Sequence, residues 1–139
     1  MNLARILFAA GGAIFGVLGT LHLVLTFRGP KLLPRDDSVR TAMQSTTMRV
    51  TRDTSLWNAW IGFNASHSLG AMVFAAFVLL LAIGYGDFLH DAPVFAWLAF
   101  VNAALWLVLA QRYWFRIPRN GVALAAACFL VAALLFTFG

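Results

Sequence analysis

Five side chains place hydrogen-bonding or proton-transfer chemistry inside stretches that are otherwise apolar: His22, Asn64, His67, Ser68 and Asn102. An imidazole changes charge near neutral pH and can act as base, donor, acceptor or metal ligand. Asn64, His67 and Ser68 stand at i, i+3 and i+4, so on a helix they form one polar stripe. At 100° per residue, Gly12, Gly16, Gly19, His22 and Thr26 fall within a helical face about 120° wide. Asn102 shares a face with Trp106 and Tyr113. Such polar groups are costly in hydrocarbon unless paired, so they are expected to face a helix-bundle interior.

Several chemistries can be weighed against this pattern. A single intramembrane histidine is accounted for by hydrogen bonding across helices, whereas two with Asn and Ser neighbours point to a functional polar site. Bis-histidine ligation of haem b needs both imidazoles at similar depth, with glycines making room. Counted from the basic ends at ~1.5 Å per residue, His22 lies about five residues in, Asn64 about seven, and His67 and Asn102 about ten. The resulting offset between the histidines, ~7–8 Å, opposes haem without strong tilt. No third ligand of metal-binding type stands near, so no metal site is expected. Ser66 and Ser68 lack an acidic partner and a nucleophile elbow. A proton path would ordinarily recruit Asp or Glu as well. The pattern is best matched by a pocket for an amphiphile: a phospholipid, isoprenoid or quinone. His22, Asn64, His67, Ser68 and Asn102 would hold its polar head, while Trp60, Phe63, Phe74 and Trp106 would pack its apolar body. If such a site is catalytic, one histidine would be general base and the asparagines orienting donors. His90, in a short turn between Asp87 and Asp91, is expected to be solvated.

The elements that must position these groups are four apolar stretches, residues 6–27, 56–83, 93–110 and 122–138. Spanning a bilayer takes about 20 residues, with a range of roughly 17 to 25; the third and fourth stretches are near the lower limit, and the second is long enough to start in the interface. The 139-residue chain is 62% hydrophobic and 11% charged, with no Glu, more apolar surface than a soluble domain this small can hide. The expected fold is therefore an all-α, integral membrane four-helix bundle forming one domain over residues 1–139. Residues 6–27 exceed a signal-peptide core, and Arg28-Gly29-Pro30 offers no small-residue cleavage site, so this segment is expected to be a mature helix. Gly12 and Gly16 form a GxxxG match and, with Gly19, are expected to let helix backbones approach closely. Trp57, Trp60, Tyr113 and Trp114 stand where interfacial aromatic belts occur. Cys128 is the single cysteine, so no intramolecular disulfide can form.

Charge sets an expected orientation. Residues 28–55 carry Arg28, Lys31, Arg35, Arg40, Arg49 and Arg52, and residues 111–120 carry Arg112, Arg116 and Arg119. The link 84–92 has no Lys or Arg, and the N-terminal tail only Arg5. With four spans both basic connections share a side, which the positive-inside rule makes cytoplasmic. Both termini would then lie outside the cytoplasm, and the net charge of +5 marks topology rather than nucleic-acid binding. The first connection is long for a bare loop. Asp37 can cap a helix through Val39, Met43, Thr46 and Val50, giving an interfacial helix, with a solvated linker as the alternative.

The stretch Trp57 to Gly70, with its FN-x-SH-x-x-G core (Phe63, Asn64, Ser66, His67, Gly70), together with Gly19-x-x-His22, resembles a group of small bacterial four-helix membrane proteins. That resemblance implies an inner-membrane location but no particular activity. In size and four-span layout the chain also looks like DoxX-type membrane proteins. Membrane lipid is the expected partner. Alternatives are an oligomeric transporter or channel for a small solute, ion or proton, assembled through Gly12 and Gly16, or an accessory subunit bound to another membrane protein.

Overall fold

The computed structural model describes residues 2–139, and the described chain is dominated by helix. The elements run α1 (Leu3–Phe27), α2 (Asp37–Ser45), β1 (Thr47–Met48), β2 (Thr51–Ser55), α3 (Leu56–Gly84), α4 (Gly86–Asp91), α5 (Val94–Tyr113) and α6 (Arg116–Phe138). Four of these, α1, α3, α5 and α6, are long and apolar enough to cross a membrane. The chain packs as two compact units, one comprising Met1–Leu18 with Ala71–Gly139, the other Gly19–Gly70.

Helix boundaries follow local chemistry. Past the end of α1, Gly29 takes a left-handed φ of 85°, and Pro30 cannot continue the helix. Pro93 is the N-cap of α5, so the helix starts one residue inside the apolar stretch. Pro118 is the third residue of α6, where a missing N–H leaves no helical bond unmade. α5 therefore runs three residues beyond its expected end and α6 starts six earlier. Only Trp114 and Phe115 separate them, and Arg112, Arg116 and Arg119 are helical.

The first connection differs from expectation. Asp36, not Asp37, caps α2, accepting the Ser38 amide hydrogen at 2.8 Å. The helix stops at Ser45, and Thr46 and Val50, expected on its apolar stripe, lie in its C-cap and in the turn of a hairpin. That hairpin pairs β1 and β2 antiparallel. The run from Thr46 to Thr54, with four threonines and Val50, favours extended backbone, since β-branched side chains lose rotamers on a helix.

In the first unit, helices alternate in direction around an aromatic core. Along α1, Phe8 and then Phe15 meet α6 at Phe136 and then Phe129, so these two run antiparallel. Phe129 is fully buried, with ring centroids 5.5 Å from Phe8, 5.9 Å from Phe74 and 6.3 Å from Phe15. Buried alanines on α5 (Ala96, Ala99, Ala103) and α6 (Ala125, Ala132, Ala133) let those helices approach closely. Large apolar side chains point outward from every long helix, among them Val17, Val73, Leu105 and Leu134.

Candidate functional site

The polar stripe of α3 meets α1 inside the second unit. His22 Nε2 lies 2.9 Å from Asn64 Oδ1. The orientation of the Asn64 amide follows from its other bond: Nδ2 donates to the Trp60 carbonyl at 2.8 Å. A flipped amide would set two acceptors face to face there, so Oδ1 must point at His22 and His22 Nε2 must carry the proton. In that tautomer of the neutral imidazole the lone pair is on Nδ1.

His67 completes the cluster. Its ring centroid is 5.6 Å from that of His22, edge to face, and 6.1 Å from Phe63, nearly parallel. This corrects the depth offset expected from the sequence. Both histidines meet because His22 packs level with the turn from Asn64 to His67. Five residues further along α1, Phe27 is then level with residues 59–62, so α3 begins about a turn beyond the end of α1. Depths counted from helix ends assumed those ends to be flush.

The remaining hydroxyls are spent on backbone. Ser68, fully buried, donates to the Asn64 carbonyl at 2.8 Å, and Thr26 donates to the His22 carbonyl at 2.8 Å. Each removes its own donor hydrogen from ligand binding and fixes the backbone beneath the His22–Asn64 pair. Trp60 stacks on Trp57 at 5.2 Å, and the Arg40 guanidinium lies 5.2 Å from the Trp57 ring centroid. That cation–π contact ties α2 to the start of α3.

Haem does not fit this geometry. A macrocycle between the imidazoles would have to part the two rings and break the His22–Asn64 bond. Among the described residues no three His, Cys, Asp or Glu side chains come together as a metal-binding group.

Asn102 and Trp106 belong to the first unit. Trp106 packs edge-on against Phe15 at 5.3 Å and Trp114 at 5.8 Å. Asn102 opens onto an apolar groove that includes Phe8, Phe74 and Leu98. Gly12 and Gly16 are filled from within the chain: a Cβ on Gly12 would come 2.6 Å from Val78, and one on Gly16 3.3 Å from Ala75. α3 thus packs on the GxxxG face, over Gly12 most closely, while Gly16 stays partly exposed. Gly19 is buried at the start of the second unit.

Sequence reasoning missed a cluster in the first unit. Arg5 donates from Nε to the Ala82 carbonyl and from a terminal guanidinium nitrogen to the Ile83 carbonyl, both at 2.9 Å, capping α3. Gly86 leaves the space that Arg5 occupies. Asn2 caps α1 by accepting the Arg5 amide hydrogen at 3.1 Å, which turns its Nδ2 toward His90 Nε2 at 2.9 Å. His90 is exposed, but its ring also lies edge-on to Phe136 at 5.0 Å, so it is more tied down than a solvated turn residue. The one available signal was an arginine standing alone among apolar residues near the start of a span. Comparison with known proteins finds no matching family model, no matching curated protein and no matching solved structure.

Proposed function

We propose that this chain crosses a bacterial inner membrane four times with both termini outside the cytoplasm, and that His22, Asn64 and His67 hold the polar head of a lipid-like molecule. The hydrogen bond from His22 Nε2 to Asn64 Oδ1, with His67 edge-on beside it, carries the reading. A helix pair that needs only packing has no use for two imidazoles and an amide at this depth, because each costs desolvation that leucine would avoid. The pre-set His22 tautomer leaves Nδ1 as an acceptor for a ligand hydroxyl, or as the base if the site is catalytic. Support for the membrane setting comes from the four long apolar helices and their outward-facing Val, Leu and Phe side chains. α2 and the hairpin then lie at the cytoplasmic surface, where Lys31, Arg35, Arg49 and Arg52 favour anionic headgroups.

Two measurements test this. In a Cys128→Ala background, a cysteine at Arg35 should react with an impermeant maleimide only in inverted vesicles, and one at Asp87 only from outside; the reverse pattern overturns the topology. Native mass spectrometry of the purified protein should show a retained lipid or isoprenoid mass that Asn64→Leu and His67→Ala both release. Retention by both variants overturns the site.

A further inference from the structure

The first unit contains an open groove of about 480 Å³ between α3 and α5, floored by α1. Phe8, Val78 and Ala99 are buried at its base, whereas Phe77, Phe95 and Leu98 are exposed at its rim. In the membrane orientation proposed above, its mouth faces the acyl chains. Asn102 is the one lining residue with a polar side chain. Asn64 satisfies both ends of its amide within the protein, but Asn102 makes no side-chain hydrogen bond to any described residue. It does not even bond back to the carbonyl four residues earlier, as Asn64, Ser68, Thr26 and Thr137 do. An amide left unpaired in hydrocarbon costs a few kcal/mol, so its partner should come from the groove's occupant.

Depth and size narrow the occupant. Asn102 is eight residues from Val94 and eleven from Tyr113, so about 12 and 16 Å from the two ends of α5. A phospholipid keeps its polar groups at the interface and would offer Asn102 only an acyl chain. A transmembrane helix is about 10 Å across, too thick for this volume, which falls in the small-ligand range. What matches is a flat ring that dissolves in the bilayer, carries a hydrogen-bond acceptor at mid-depth and packs well against phenylalanine faces and edges. We propose that the groove binds the ring of a membrane-dissolved quinone, with Asn102 Nδ2 donating to a ring carbonyl and Phe74 and Phe77 packing on the ring. The inference rests on the membrane placement but not on the histidine cluster, none of whose residues lines the groove.

The test uses the full chain in lipid nanodiscs and a decyl-substituted benzoquinone as probe. Wild type should bind one probe per chain saturably and shift one quinone carbonyl stretch to lower frequency. Asn102→Leu should weaken binding by about three- to tenfold and abolish the shift, the loss expected for one hydrogen bond. Leu98→Trp, at an exposed rim position where folding is undisturbed, should block binding. His67→Ala should leave both readouts unchanged. Equal binding by wild type, Asn102→Leu and Leu98→Trp overturns the proposal. So does loss in His67→Ala with retention in Asn102→Leu, which would place the probe at the histidines. Displacement of the probe by decanol as readily as by a second quinone overturns it too, since the groove would then be a plain hydrophobic slot.

Discussion

Replacing Asn64 by leucine keeps the side-chain volume and removes the acceptor of His22 Nε2–H. A buried donor left without its partner costs about 1–3 kcal/mol when fully enclosed. Both residues are only half-buried, and coupling energies between polar side chains in membrane helices average ~0.6 and reach ~1.7 kcal/mol. The expected loss for Asn64→Leu is therefore about 1–2 kcal/mol, part of it from the broken Nδ2 bond to the Trp60 carbonyl. His22→Phe, which orphans Asn64 Oδ1, should cost a similar amount. In the double variant neither orphan remains, so its loss should fall short of the sum by about 0.5–1.5 kcal/mol. Reversible unfolding in mixed micelles titrated with SDS, followed by tryptophan fluorescence, measures all four corners of the cycle. Additivity to within ~0.3 kcal/mol would refute the bond as an energetic link and, with it, the fixed tautomer of His22.

Other expectations follow from contacts elsewhere. Phe129→Ala empties the centre of a four-phenylalanine cluster and should cost about 3–5 kcal/mol in the same micelle assay. Gly11→Ala puts a Cβ 2.7 Å from the fully buried Phe129 ring and should destabilise by about 1–3 kcal/mol, more than the same change at Gly16, where Ala75 is 3.3 Å away. Gly86→Ala should expel the Arg5 guanidinium from the Ala82 and Ile83 carbonyls, seen as faster amide exchange in the last turn of α3. The Ser38 hydroxyl and then its amide hold the Asp36 carboxyl below its ordinary value, so the charged form is the cap. Its contribution to α2 is complete above the usual carboxylate range and is lost as pH falls through the lowered value. The Ser38 amide resonance should therefore titrate below pH ~4 while helicity in α2 declines, and Asp36→Asn should remove that pH dependence.

The elements themselves were legible because hydropathy and helical period are local properties. Four apolar runs had to become four long helices, and Asn64, His67 and Ser68 had to share a face, whatever they packed against. Which aspartate caps α2 is not legible locally, because adjacent aspartates offer equivalent oxygens and only the chain path selects Asp36. The hairpin is not legible either, because the alternation of Thr46–Thr54 is short and polar on both faces. Tertiary structure alone decided the pairing of His22 with Asn64 and His67, since antiparallel helices can slide by a turn without changing any local preference. It also separated two asparagines that look alike in sequence. Asn64 faces an imidazole across a helix pair and is satisfied there; Asn102 faces a groove and finds no partner among the described residues, a difference set by which neighbour the packing brings within 3 Å.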